Sequence, residues 1–389
     1  MLDAAEADSL ERFARVVGTR AALGVLLAIL VLGMARLSYF RRFEDRLLDR
    51  RITLWRQLSE ADTSSITLVT IDQESLDDLH MKWPLPRSAY GRIIDRLRKA
   101  GADAIGITVL FQGSAPDPRQ DQLLQEGMGG QGDVVLASRV DGGTIVTPPF
   151  PCSTGYCDVP LDGDGVARQF TLSAPGTDPP AVAMALALLR ARYQNVAFVP
   201  RGFVAPAGSL FPIAWAGPPG HTFATVPLKR VLGGGDLSKD VKGKVVLVGS
   251  TLPASSNDIR TPFTRRGHDD TRSPMTAVEL SANLVFTLLG GDALTPPTTA
   301  QAVLMVAGMA FLLFMLFGSL HPLFSLVCVV FVATLWVLGA TYEMIMAHEL
   351  LPLVPPLLAV VAAWLGSIAY RAGVSFARAR AGGRSRFVQ

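Results

Sequence analysis

Charge is what this sequence has least of. Only 18% of its 389 residues are Asp, Glu, Lys or Arg, against 49% hydrophobic, and the shortage is regional. No charged residue occurs from Leu294 to Tyr342, and none from Leu350 to Tyr370. Uncharged runs of that length exclude an ordinary soluble protein. The net charge of +3 is small, and the arginines gather beside the hydrophobic segments. They therefore read as membrane-flanking charge, and no nucleic-acid partner is expected. Cysteine is scarce, with three in all, and His80, His221 and His268 are scattered. No metal site and no cofactor are expected from so few, dispersed ligands. Catalytic patterns are missing too. Val248-Gly249-Ser250-Thr251 lacks the G-x-x-x-x-G-K-[ST] order of a phosphate loop, and Gly249-Ser250 fails the G-x-S-x-G nucleophile pattern. No catalytic constellation emerges, so the chain is not expected to be an enzyme.

What is present begins with the apolar segments. The break Gly318-Ser319-Leu320-His321-Pro322 divides the long uncharged run into about 298–319 and 323–341, and a third segment covers 350–370. Each can cross a hydrocarbon core of about 30 Å at 1.5 Å per residue. Ala21 to Ala35 is another apolar run, closed by Arg20 and Arg36 and extended by Leu37–Phe40, giving a first transmembrane helix at 21–40. Four transmembrane helices are thus expected, with 1–20 as a cytoplasmic lead. The tail 371–389 holds Arg371, Arg378, Arg380, Arg384 and Arg386 and no acid, which places it in the cytoplasm. Three crossings then put the polar region 41–295 outside. The arginines after the first helix, Arg41 to Arg56, oppose this, but long domains translocate largely regardless of charge.

The polar region alternates between two periods. Short β-branched runs at Ile66–Ile71, Ala104–Phe111, Val134–Ala137, Thr144–Val146 and Val245–Val248 read as strands. Helical stripes occupy Ser88–Ala100, Asp121–Glu126, Ala181–Arg192 and Thr276–Leu289. The fold class expected is an α/β extracytoplasmic domain with a mixed, largely parallel sheet, joined to an α-helical membrane region. Cys152 and Cys157, in an exported domain, are expected to form a disulfide that closes a small loop. Asp162-Gly163-Asp164-Gly165 hints at Ca²⁺ binding, yet position 12 of such a loop is Ser173 rather than Glu, so it reads as a turn.

Several motifs of this region together resemble the CHASE2 sensory domain. Ile71-Asp72 with Ser75-Leu76, followed by Trp83-Pro84-Leu85-Pro86-Arg87, is similar to the family's opening pattern. Ile105-Gly106 through Phe111 resembles its second strand, Asp164-Gly165-Val166-Ala167-Arg168 its D-G-x-x-R turn, and Lys242 to Gly249 its glycine-closed strand. Asp258, Thr261-Pro262-Phe263 and Glu279 with Ala282-Asn283 resemble its closing motifs. Three positions depart from the pattern: Thr108 where Asp is usual, Ala277 where Gly is usual and Ser281 where His is usual. The resemblance implies a bacterial inner-membrane receptor whose sensory domain sits between one N-terminal and three C-terminal helices, working as a homodimer. Residues 371–389 are too few for a kinase or cyclase, so the output is expected from a cytoplasmic partner or a longer product.

Two groups of side chains are candidates for binding an extracytoplasmic ligand or protein. Asp72, at a strand's carboxyl end, with Asp258, Glu279 and Asn283 could line a polar pocket, or each could cap a helix or satisfy a turn. Trp83 and Arg87 could clamp an anion by stacking and bidentate bonding, or form a proline-fixed corner against the core. Two functional expectations follow. One is a sensor feeding a signal through its membrane helices. The other is a scaffolding subunit of a cell-envelope complex, which calls for a broad exposed apolar patch.

Overall fold

The structure, a computed structural model, describes residues 4–384 other than 131, 175, 178–180, 201–202, 204–205, 254–258, 265–273 and 291–293, with side chains described from 17 to 377. It divides into two compact units, Met1–Arg51 with Thr295–Gln389, and Ile52–Leu294.

The chain opens with α1 (Ala4–Ala35) and α2 (Ser38–Leu58). Arg36 and Leu37 donate to the carbonyls of Gly33 and Met34, three residues back, and this tightened turn stops α1. The first apolar span therefore runs Val17–Ala35, where the sequence suggested 21–40. Leu37 to Phe40 belong instead to the turn and the start of α2.

The polar unit continues with β1 (Ile66–Ile71), α3 (Gln73–Asp78), α4 (Arg87–Lys99), β2 (Ala104–Leu110), α5 (Pro118–Met128), β3 (Val134–Asp141), β4 (Thr144–Val146) and β5 (Ser153–Tyr156). After these come β6 (Gln169–Thr171), α6 (Met184–Arg192), β7 (Leu210–Pro212), β8 (Ala224–Pro227), α7 (Leu228–Leu232), α8 (Ser238–Val241), β9 (Val245–Ser250) and α9 (Ala277–Leu288). Among the described residues the main sheet runs β8-β1-β9-β2-β3, and β3 pairs with β5 along one half and β4 along the other. Every pairing in it is parallel except β3 with β4. The expected mixed, largely parallel sheet is present.

A parallel sheet is buried on both faces, which is why its strands are near-continuous apolar runs. On one face Val69, Ile71, Ile105, Ile107, Leu136, Val246 and Val248 meet Ile93, Ile94 and Leu97 of α4, Leu124 of α5 and Val231 of α7 in a single core. The other face is covered by α6 and α9. Glycine sets how close these helices come. A Cβ on Gly249 would lie 2.3 Å from Thr108 Oγ1 and 2.6 Å from Val278 of α9, and one on Gly106 would lie 3.0 Å from Leu188 of α6.

The membrane unit adds α10 (Thr299–Phe317), α11 (Pro322–Met346) and α12 (Val354–Arg384). Four helices are long and apolar enough to cross a membrane: Val17–Ala35, Thr299–Phe317, Pro322–Met346 and Val354–Ala377. Ala28, Val31, Val306, Ala310 and Ala359 pack where α1, α10 and α12 meet, small side chains that let the backbones approach. The break between α10 and α11 is tied by arginines. Arg20 donates to the Gly318 carbonyl at 3.4 Å and Arg371 to that of Leu320. Elsewhere in the unit, Glu44 of α2 accepts from the amides of Leu353 and Val354 at 2.8 and 2.6 Å, capping α12 from another element. Arg51 donates to the carbonyls of Leu351 and Ala340 at 2.9 and 2.5 Å. The tail expected at 371–389 is continuous helix as far as Arg384.

The cysteine bridge is a correction. Cys152 and Cys157 are free thiols, as is Cys328. Strand β5 occupies the residues between the pair, and extended chain advances about 3.3 Å per residue. Their Cα atoms therefore stand on the order of 15 Å apart, about twice the span a disulfide tolerates. Cys157 instead places its sulfur 3.5 Å from Met184 Sδ. Alkylation of the denatured protein without reductant is expected to modify all 3 cysteines. Two unmodified cysteines, released only by reductant, would restore the bridge.

Candidate functional site: a cleft at the strand carboxyl ends

Most of the side chains proposed as ligand contacts are occupied in holding the fold. Asp72 caps α3, accepting from the Ser75 amide at 2.7 Å and from Thr70 Oγ1 at 3.2 Å. Trp83 is half-buried against the sheet core. Arg87 pairs with Asp121, donates to the carbonyls of Gln112 and Gly113 at 3.1 and 2.7 Å, and stacks 5.4 Å over the Phe111 ring. Asp121 in turn accepts from the Ala115 amide at 2.9 Å, so the pair fastens the segment between β2 and α5.

Glu279 forms a capping box with Thr276 and accepts from the Gly220 amide at 2.6 Å. Asn283 is wholly buried. Its Oδ1 accepts from the Ala216 amide at 2.8 Å and its Nδ2 donates to the Glu279 carbonyl at 2.9 Å. Asp258 lies outside the described residues. The Asp162–Asp164 loop is a turn closed on Arg168, which is 4% exposed and donates to Asp162 at 2.8 Å and to both oxygens of Asp164 at 2.8 and 2.9 Å.

Two clefts in the polar unit remain to be weighed. The first, of about 680 Å³, is bordered by Thr70, Thr225, Thr251, His221, Thr276 and Glu279. Its one carboxylate is already spent on the capping box and Gly220. The second, of about 590 Å³, opens where β2, β3 and β5 end, with Thr108, Ser138, Arg139, Asp158, Arg260 and Ala277 on its wall. Ligands of open α/β sheets gather at strand carboxyl ends.

The second cleft keeps its polar groups available. Thr108 donates to the Val248 carbonyl at 3.2 Å, leaving its oxygen lone pairs. Ser138, Arg139 and Arg260 have no side-chain partner among the described residues. Among the described residues Asp158 is held only by a 3.4 Å contact from the Val140 amide. All three departures from the expected motif pattern come together here. Thr108 and Ala277 line the cleft, and buried Ser281 donates to the Ala277 carbonyl at 2.9 Å. Desolvation pushes the thiol of Cys157 up to about 12, which favours its protonated form at neutral pH. Among the described residues no group of three or more His, Cys, Asp or Glu gathers as a metal site would. The cleft offers recognition through charge and hydroxyl groups.

Ser138, Arg139, Asp158 and Arg260 escape a reading of the sequence. Polar residues closing an apolar strand, as Ser138-Arg139 close Val134–Ala137, are the signal that points to a strand's carboxyl end. Nothing local marks Asp158 or Arg260.

Two expectations test the structural roles assigned above. Arg87→Ala, which unpins Asp121 and two carbonyls, is expected to lower unfolding free energy by about 1–3 kcal/mol in denaturant titrations; an unchanged midpoint would remove Arg87 from the clamp. The hydrogen bonds and charge of Arg168 hold the Asp164 carboxyl below its ordinary value of 3.8. Its contribution to stability is therefore present above pH 3.8 and is lost as pH falls through the depressed folded value. Asp164→Asn is expected to cost stability at pH 7 and progressively less below pH 3.8, measured by denaturation at both pH values.

No curated protein and no solved structure matches the chain. A family model of the CHASE2 domain matches residues 24–320, which takes in the second half of the first apolar span, the whole polar unit and α10. CHASE2 domains are extracellular sensory domains. With this match over most of its length, and with the strand, turn and helix motifs built into one parallel sheet, the chain belongs to the CHASE2 domain family.

Proposed function

We propose that this protein is a membrane-anchored sensor of the bacterial inner membrane. Its polar unit recognises an extracytoplasmic ligand, and the membrane helices carry the signal to a cytoplasmic output partner, a kinase or a cyclase. The protein has no catalytic activity of its own and works as a homodimer. The observation that carries this reading is the cleft of unspent polar groups at the carboxyl ends of β2, β3 and β5, in a chain whose family consists of extracellular sensory domains.

The orientation is supported by charge. Arg20 and Arg371 both bond the tight break between α10 and α11, so that end carries basic residues as the α2 end does, and the acid-free arginine tail that follows Arg371 favours the cytoplasmic side. For the scaffold alternative, the exposed large apolar residues described on the polar unit include Tyr193, Val196 and Val199 of one segment beside Leu123, Leu161 and Leu210.

Crosslinking with mass spectrometry in native membranes, from a photoreactive residue placed within 371–389, is expected to capture a cytoplasmic kinase or cyclase. Capture of envelope-assembly proteins alone, or protection of the tail on the cytoplasmic side, would overturn the sensor reading.

A further inference from the structure

The second cleft is asymmetric in charge, and this narrows what it can hold. Two guanidiniums, Arg139 and Arg260, stand on its wall, and the single carboxylate of Asp158 faces the same space. Neither arginine has a side-chain partner among the described residues, so both guanidiniums are available to a ligand. Ser138 borders the cleft, and its hydroxyl has no partner among the described residues, so it is available to a bound acceptor. Ala277 borders the cleft at the start of a helix. It is the first residue of the twelve-residue helix α9, and the capping box there uses the amides of Thr276 and Glu279 rather than that of Ala277. Guanidiniums, a hydroxyl donor and a helix-start amide are the groups that bind an oxyanion.

The net charge of the wall decides which oxyanion. Among the described residues of the wall, two arginines less one aspartate leave a single positive charge, which suits a single carboxylate group better than a phosphate dianion. Asp158 spends one oxygen on a long contact from the Val140 amide and has the other free to accept. A ligand that fills the cleft therefore presents a hydroxyl or amine N–H or O–H to that oxygen. We infer that the cleft binds a small carboxylate that also carries a hydroxyl or amino group, with Arg139, Arg260 and Ser138 on the carboxylate and Asp158 on the donor group. This rests on the sensory reading above and names the ligand class of that same site.

The test is calorimetric titration of the full chain in lipid nanodiscs with lactate, alanine, acetate and inorganic phosphate. Each is used up to about 10 mM, where even a dissociation constant near 1 mM gives near saturation. Lactate or alanine is expected to bind saturably and more tightly than acetate. Arg139→Ala and Arg260→Ala, both at exposed positions that leave the sheet intact, are expected to weaken binding roughly 10- to 100-fold. Asp158→Asn is expected to erase the preference over acetate and to improve phosphate binding.

Binding of phosphate as tight as that of lactate and alanine in the unaltered protein would overturn the carboxylate class. Binding unaffected by either arginine substitution would overturn the location, and no binding of any probe would overturn the inference whole. The sensor reading fails separately. If no probe binds while the tail captures a cytoplasmic kinase or cyclase, the ligand class is wrong and the sensor stands. If arginine-dependent binding is found while the tail captures only envelope-assembly proteins, the site stands and the sensor reading falls.

Discussion

Everything in the polar unit depends on a parallel sheet being dry on both faces. Parallel strands cannot be joined by short hairpins, so each return has to cross the sheet, and the crossovers supply the helices that cover it. Here α4, α5 and α7 cover one face and α6 and α9 the other. The same constraint sends the apolar runs of β1, β2, β3 and β9 into the middle, and buried Thr67 within β1 spends its hydroxyl on the Asp240 carbonyl. The cleft is a consequence. Burial falls off at Thr108 in β2 and at Arg139, next to Ser138, in β3, and the loop after β5 and the first turn of α9 add to the cleft's wall.

A second constraint governs the chain ends of helices, where backbone amides and carbonyls lose their partners. Much of the polar side-chain chemistry answers this need. Asp72 caps α3, Thr276 and Glu279 cap α9, and in the membrane unit Glu44 caps α12 across a long stretch of sequence. In the membrane unit such bonds have added weight, because hydrocarbon offers no water to satisfy an unpaired group. This is why residues that look like ligands in the sequence can be fully employed before any ligand arrives.

The elements themselves were legible wherever burial imposes a period. Val245–Val248, Ile66–Ile71 and the stripe of Ile93, Ile94 and Leu97 appear where hydrophobic alternation places them, and so do the apolar spans. What escaped were short elements without a period of their own, β5 to β8 and α7, and the helix α2, whose arginine-rich sequence shows no apolar run although Ile52 and Trp55 are buried. The cysteine pair misled because spacing in sequence says nothing of conformation. Five residues can close a loop or cross a sheet, and β5 takes the second course.

For the site the limit was sharper. Aspartate, glutamate, asparagine and arginine carry the same chemistry whether they cap, clamp or bind, so Asp72, Glu279, Asn283 and Arg87 could be nominated but not assigned from residue type alone. Local sequence determined the membrane spans, the α/β alternation and the family motifs, because these follow from hydrophobic period and short-range turn chemistry. Tertiary structure alone decided which polar groups were already spent. Thr108, Ser138, Arg139, Asp158, Arg260 and Ala277 come from separate segments that meet only once the strands are ordered in the sheet, and a hydrogen bond's partner is set by distance in space rather than along the chain.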